Sequence, residues 1–184
     1  MRLTRSALLL ALPLALSLAP SPARAQVFGQ PSPTGSSRGW APGWAGIRAG
    51  WDYNAQAAVL GAQLRLPAIP SGHAELVPNG DVTFLDGLRE YQAGVDAVVV
   101  SGGRHGGVYG GVGMAWRSTV WEEGGPRETR SAPVTVVGVR SGTLGGAPFG
   151  TQLEMRWIWL DGPFRPRVLT LGINFPLWGG GRSR

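Results

Sequence analysis

QLEMRWIW, at residues 152–159, alternates polar and apolar side chains along most of its length. One face carries the apolar residues Leu153, Met155, Trp157 and Trp159. The other face carries the polar residues Gln152, Glu154 and Arg156. Because successive side chains of a β-strand point to opposite faces, this spacing indicates a strand with one apolar and one polar face. The pattern defines two faces without saying which of them points inward.

Seven further segments follow the same period and are separated by clusters of Gly, Pro, Asn or Asp. The eight predicted strands lie at about 47–53, 58–66, 73–84, 91–99, 108–117, 134–141, 152–159 and 169–177. Pro78 predicts a bulge or a local break in the third strand. The sixth strand is undecided, because Val136, Val137 and Val139 fall on both faces and only Arg140 marks a polar side. Together these strands predict an all-β chain, an eight-stranded antiparallel up-and-down β-barrel.

The connections between the strands differ in length and polarity. Ser101–Gly106 and Arg140–Pro148 predict turns at one rim, whereas Arg117–Pro133 predicts the longest and most polar loop of the other rim. The connection at Asn54 is very short. The charges of the long loop suit either a solvated loop or contact with lipopolysaccharide or another surface ligand.

The N-terminal residues have the organisation of a secretory signal peptide. Arg2 and Arg5 precede an apolar stretch, and Ala23-Arg24-Ala25 supplies the small residues of a cleavage site. That stretch is shorter than the roughly 20 residues of a transmembrane helix, so we expect cleavage after Ala25. The predicted organisation is a signal peptide at 1–25, a flexible Gly/Pro/Ser leader at 26–43, the β-barrel at 44–178 and a disordered tail at 179–184.

Composition argues against several classes of function. After that cleavage 14 arginines face 11 acidic residues, an excess too small to predict a nucleic-acid partner. The chain has no cysteine, and neither His73 nor His105 has neighbouring ligand residues, so no metal is predicted. The glycines at 102–107 precede a strand rather than a helix and do not form a phosphate cradle. We therefore predict no cofactor.

The polar faces of the strands carry balanced charge. Five arginines and five acidic residues lie on them: Arg48, Arg65, Arg117, Arg140, Arg156, Asp52, Glu75, Asp81, Asp96 and Glu154. The interior of an eight-stranded barrel is only wide enough for side chains, so opposite charges can pair across it. We predict that these residues form ion pairs in the lumen and plug it.

The apolar faces carry aromatic residues, mostly near the strand ends. These are Trp51, Tyr53, Tyr91, Trp116, Trp157, Trp159, Phe175 and Trp178. Rings at such positions are typical of the aromatic girdles that flank the lipid-facing band of a membrane barrel. The alternative is that they fill the core of a soluble barrel, because alternation is common to both classes.

Three motifs carry a resemblance to a known family. GIRAGWDY at 46–53, LGAQLR at 60–65 and LGINF at 171–175 resemble segments of the small porin-like β-barrels of the outer membrane of Gram-negative bacteria. The resemblance extends over about 46–178. It implies export to the outer membrane, contact with its lipid and insertion by the barrel-assembly machinery.

The start of the third strand carries a candidate catalytic set. Ser71, His73 and Glu75 would share one strand face, as a nucleophile, a base and an orienting acid require. That face is the polar one, which a lipid substrate could not reach, and Ser71 follows Pro70 and suits a turn.

We predict a structural or surface-interaction barrel of the outer membrane that is not an enzyme. The alternatives are a soluble periplasmic barrel that binds a small apolar ligand and, third, a lipid-modifying outer-membrane enzyme.

Overall fold

Backbone hydrogen bonds join the first strand to the last and close the sheet on itself. The computed structural model describes residues 40–102, 106–121, 125, 127–142, 149–160 and 165–177. Its strands are β1 Trp44–Asp52, β2 Ala57–Pro67, β3 Ala74–Leu85, β4 Leu88–Val100, β5 Gly106–Trp121, β6 Glu128–Ser141, β7 Gly150–Ile158 and β8 Arg167–Pro176. Each strand pairs antiparallel with its sequence neighbours, and β1 pairs with β8. The predicted eight-stranded antiparallel up-and-down barrel is confirmed.

The barrel has two rims, which we name by what they contain. The terminal rim is the end where β1 begins and β8 ends, and the loop rim is the opposite end. The β1–β8 ladder runs from Trp44 opposite Pro176 to Asp52 opposite Val168, so the described strands leave no open sheet edge. Among the described residues no helix is long and apolar enough to cross a bilayer.

The β5–β6 hairpin is longer than the sequence pattern predicts. β5 has 16 residues and β6 has 14, whereas β1 and β7 have 9 each. The predicted loop at 117–133 is wrong, because β5 and β6 form a continuous ladder there, with Arg117 opposite Arg130 and Thr119 opposite Glu128. Both strands are polar at this level, so hydrophobic alternation, which marks strands elsewhere, is absent there.

Pro78 breaks the ladder locally without shifting its register. β2 and β3 pair at Gln63 opposite Asn79 and again at Leu66 opposite Leu76, with the same offset on both sides of the gap. Pro78 remains opposite Val95 of β4. The break occurs where proline has no N–H to donate, and no extra residue is accommodated as a bulge would require.

The faces of β6, which the sequence left undecided, are resolved by the burial of its valines. Val134 and Val136 are buried in the barrel, whereas Val137 and Val139 are exposed on its outer wall. The strand therefore alternates strictly, but its inward face is apolar over most of its length. A pattern with apolar residues on both faces carries no period from which to read orientation.

The last residues of the predicted leader contact the barrel. Ala41 is buried and its N–H donates to the carbonyl of Pro70 at 3.0 Å. The N–H of Leu177 donates to the carbonyl of Gly43 at 2.8 Å. Residues 40–43 are thus attached to the terminal rim. The predicted signal peptide, the rest of the leader and the tail lie outside the described residues.

Candidate functional site

The barrel wall is apolar outside and charged inside. Ile47, Val112 and Leu171 point outward and are 64%, 64% and 59% exposed. Of the ten charged residues assigned to the lumen from sequence, nine are buried, and the side chain of Arg140 is only 6% exposed. The polar faces of the strands therefore point inward, and they meet in three clusters along the barrel.

The central cluster consists of Arg48, Arg156, Asp81, Asp96 and Glu154. Arg48 donates from Nε and Nη2 to the two oxygens of Asp81, at 2.8 and 2.6 Å, and from Nη1 to Glu154 Oε1 at 2.9 Å. Arg156 pairs with Asp96, and its Nε lies 3.7 Å from the same Glu154 oxygen. Bidentate arginine–carboxylate contacts of this kind are directional as well as strong. The cluster joins β1, β3, β4 and β7 across the lumen.

The terminal cluster consists of Arg65, Glu75, Arg140 and Tyr109. Glu75 binds two arginines, with Arg65 Nε at 2.9 Å from one oxygen and Arg140 Nη1 at 2.6 Å from the other. The Arg65 guanidinium lies 4.4 Å from the centroid of the Tyr109 ring, a cation–π contact. The Tyr109 hydroxyl donates to Glu154 Oε2 at 2.6 Å, which links this cluster to the central one.

The loop-rim cluster consists of Arg117, Glu90 and Asp52. Arg117 pairs with Glu90, and its Nη2 lies 3.8 Å from Asp52 Oδ2. The other Asp52 oxygen accepts the backbone N–H groups of Asn54 and Ala55, at 2.9 and 3.1 Å. Asp52 thus caps the β1–β2 turn as well as facing Arg117, because an aspartate can hydrogen-bond the backbone two and three residues ahead. This bonding accounts for the very short connection at Asn54.

Four amide side chains fill the space between the charged clusters. Gln152 Oε1 accepts from Gln63 at 2.6 Å and from Asn174 at 3.1 Å. Asn79 Oδ1 accepts from Arg156 at 2.7 Å, and Asn79 Nδ2 donates to Asp96 at 2.8 Å. Because an amide both donates and accepts, Asn79 satisfies an arginine and a carboxylate at once, whereas Gln63, Gln152 and Asn174 bond to one another.

Glycines make room for the large polar side chains. A Cβ at Gly61 would collide with the carboxylate of Asp81, and one at Gly113 with that of Asp96. Both carboxylates belong to the central cluster, so these two positions require glycine for close packing rather than for an unusual backbone conformation.

The interior is not polar all round. Val77, Val98, Val100, Tyr109 and Val136 form one buried apolar cluster, and Ala115, Ala132, Val134 and Ile158 form a second one. Both lie largely on β4, β5 and β6. Apolar side chains therefore share the lumen with the charged clusters, which lowers the contact of those charges with water.

Sequence reasoning missed several interior residues. Glu90 and Tyr109 make direct contacts with predicted lumen residues. Two-residue spacing was a sufficient signal for both, since Glu90 is in phase with Asp96 and Tyr109 with Arg117. The amides were also in phase, but polar uncharged residues do not enter a balance of charges.

The predicted girdle residues are unevenly distributed. The members near the loop rim are Trp51, Tyr53, Tyr91, Trp116, Trp157 and Trp159, and Phe175 lies near the terminal rim. Six of these seven are exposed on the wall, and Trp157 is half-buried. Trp121, at the end of β5, is also exposed at the loop rim, but it is in phase with the inward-facing Arg117 rather than with the outer wall, and the prediction placed it in a loop. Trp178 lies outside the described residues.

Ser71, His73 and Glu75, the candidate catalytic set, do not share one strand face. Ser71 and His73 are exposed and precede β3, which begins at Ala74. Glu75 is buried and bound to two arginines, at 2.9 and 2.6 Å. Among the described residues no group of three potential metal ligands of the His, Cys, Asp or Glu type occurs.

Similar folds occur among solved structures. The N-terminal β-barrel domain of Pseudomonas aeruginosa OprF matches with a TM-score of 0.60 at 14% identity, over 75% of this chain and 98% of that one. The chain has the fold of the small outer-membrane barrels. Neisserial surface protein A matches with a TM-score of 0.51 at 10% identity, over 72% of this chain and 94% of that one. The Yersinia pestis outer membrane protein Ail, in a phospholipid bilayer nanodisc, gives 0.47 at 12% identity, over 73% and 99%. No protein-family model and no curated protein matches the chain.

Proposed function

We propose that the protein is an integral barrel of the outer membrane with a structural or surface-interaction role and no catalysis. The observation that carries the proposal is the polarity of the wall, in which charged residues are buried inside and large apolar residues are exposed outside. A water-soluble barrel would bury its apolar faces, so exposed rows of Leu, Val and Ile favour contact with hydrocarbon. The alternative, a soluble ligand-binding barrel, requires a lumen that is lined by the apolar faces. In these strands the apolar faces point outward.

Closure of the ladder supports the same assignment. A strand in hydrocarbon cannot leave backbone N–H and C=O groups unpaired, and a closed barrel satisfies nearly all of them. The β1–β8 ladder supplies this closure. The proposed route is export with cleavage of the signal peptide after Ala25, followed by insertion by the barrel-assembly machinery.

The first test is location. We expect the expressed protein to fractionate with outer membranes, to begin at Gln26 and to change its mobility on a detergent gel only after boiling. The reason is that a closed ladder resists detergent until it is heated. Recovery of the protein in the soluble periplasmic fraction would contradict the proposal, whereas a chain that still began at Met1 would contradict only the cleavage.

We further propose that the lumen does not conduct ions. The ion-paired clusters support this, as does Trp44, which is buried at the terminal rim near Arg65 and Arg140. In a planar lipid bilayer we expect no stepwise conductance from the purified barrel. Discrete channel openings that disappear when the protein is omitted would show that the clusters leave a path for ions.

A surface role is favoured by charge at the loop rim. The exposed charged residues there are Arg89, Arg127, Arg130, Arg165, Arg167, Asp86 and Glu128, whereas the described turns of the terminal rim contain no Arg, Asp or Glu. This excess of arginine complements anionic lipid head groups, of which lipopolysaccharide is the candidate in an outer leaflet.

The lipid proposal predicts a specific loss. Replacing Arg165 and Arg167 together by Gln should weaken binding of the barrel to lipopolysaccharide aggregates several-fold at low salt, since two charge-assisted contacts are removed. Binding can be measured by surface plasmon resonance on immobilised lipopolysaccharide. An affinity equal to that of the unchanged chain would remove the case for this partner.

A further inference from the structure

The lumen changes character at the loop rim. Near Arg117 four apolar side chains border the mouth of the barrel, namely Leu85 and Leu88 on the β3–β4 hairpin, Trp121 at the end of β5 and Leu160 after β7. These side chains border a pocket of about 350 Å³ at the mouth of the barrel, which we call the mouth pocket. Trp121 is 48% exposed there. Apolar groups that line a concavity open to water are a typical feature of small-ligand sites of about 300–1,000 Å³.

Charged groups of both signs border the same pocket. Arg117 and Glu90 form a pair at its base, and Glu128 and Arg130 form a second pair at 2.9 Å on its β6 side. The base pair is largely buried, with side-chain exposures of 7% and 23%. The β6 pair is 58% and 64% exposed, so its mutual attraction is weak and a ligand can replace either partner.

We propose that the mouth pocket binds a small zwitterion with an apolar body, of the class of apolar amino acids and short apolar peptides. The apolar body lies among Leu85, Leu88, Leu160 and Trp121. The ligand carboxylate binds Arg130, and the ligand ammonium binds Glu128. A ligand that carries charge of only one sign would leave either Arg130 or Glu128 without an oppositely charged partner. An uncharged ligand would break the ion pair between them without replacing it.

The test uses a dipeptide and its blocked forms. Leucyl-leucine with free ends is titrated calorimetrically into the full chain in phospholipid nanodiscs, with empty nanodiscs as reference. We expect saturable binding at one site, and at least tenfold weaker binding for N-acetyl-leucyl-leucine, for leucyl-leucine amide and for glycyl-glycine. Absence of saturable binding, or equal affinity for the free and blocked peptides, would overturn the proposal. This series uses the unchanged chain and does not depend on the folding of a variant.

Two variants assign the charges within the pocket. Arg130→Gln should weaken binding of the free dipeptide at least fivefold but leave the affinity of the amide unchanged, because the amide has no carboxylate to lose. Glu128→Gln should likewise weaken binding of the free dipeptide but leave the affinity of the N-acetyl form unchanged, because that form has no ammonium to lose. Arg167→Gln, an arginine on the outer side of the same rim, is the matched control and should change no affinity. If Arg167→Gln acts as strongly as Arg130→Gln, the effect belongs to the charge of the rim and not to the pocket.

Because the pocket requires only the barrel fold, failure of this test leaves the membrane proposal standing. Failure of the membrane proposal would likewise leave the pocket proposal standing.

Discussion

Replacing Arg48 by Met should lower the free energy of unfolding by about 3–5 kcal/mol. Arg48 is 3% exposed and binds Asp81 through two hydrogen bonds and Glu154 through a third. Its loss leaves both carboxylates buried with less positive charge, and removal of one partner from a buried pair costs more than the pair itself contributes. The measurement is a urea titration of the barrel refolded in phospholipid vesicles, followed by tryptophan fluorescence.

The control and the rescue distinguish a buried network from a general effect of charge. Arg167→Met, at an exposed position, should change the free energy of unfolding by less than about 0.5 kcal/mol. Neutralising the partners as well, by Arg48→Met with Asp81→Asn and Glu154→Gln, should recover a large part of the loss, because no unpaired charge then remains inside. If Arg48→Met costs no more than Arg167→Met, the interior is solvated and the network contributes little.

Leu171→Arg should lower the free energy of unfolding by about 2–4 kcal/mol when the barrel is in a bilayer. Leu171 lies in the middle of β8, opposite Ala49 and Leu153, and is 59% exposed on the outer wall. In a membrane this position faces hydrocarbon, where a guanidinium is costly. In a water-soluble barrel the same side chain faces water, and such a surface change is within about 0.5 kcal/mol.

Depth provides the matched control for this prediction. Tyr53, just beyond the end of β1 at the loop rim, is 52% exposed, so Tyr53→Arg places the same charge near the membrane surface. Its expected cost is about 0–1 kcal/mol. Equal costs at Leu171 and Tyr53, or a negligible cost at both, would be incompatible with a bilayer around the wall. Met155, also on the apolar face, is a poorer choice because it is half-buried against its neighbours.

The strands that could be predicted from sequence are those whose two faces differ in polarity. β7 and β8 showed this difference in their sequences, since most of their outward residues are large and apolar and most of their inward residues are polar. β6 did not, because its inward Val134 and Val136 belong to an apolar part of the lumen. The end of the β5–β6 hairpin was missed for the opposite reason, as both of its faces are polar. Alternation reports contrast between two environments, and it is silent where they are alike.

The interior charges could be predicted as a set but not as pairs. Two-residue spacing assigns Arg48 and Glu154 to one side of the wall, yet they are 106 positions apart and meet only because the barrel closes. Which arginine binds which carboxylate depends on strand tilt and register, which no local pattern contains. Glu90 became the main partner of Arg117, whereas Asp52 was used largely by the turn that follows it.

The β1–β8 ladder also governs the order in which the molecule can form. Its paired strands enclose almost the whole described chain, so this ladder closes the longest loop and carries the largest entropic cost of any pairing in the sheet. Until it closes, Arg48 on β1 and Glu154 on β7 cannot pair, and the polar inner face of an open sheet inside the bilayer would be turned towards lipid. The intermediates lack both the final seam and the dry interior, and most of the stabilisation arrives with the last strand. A barrel built in this way should fold slowly and in a single cooperative step, with no long-lived half-barrel.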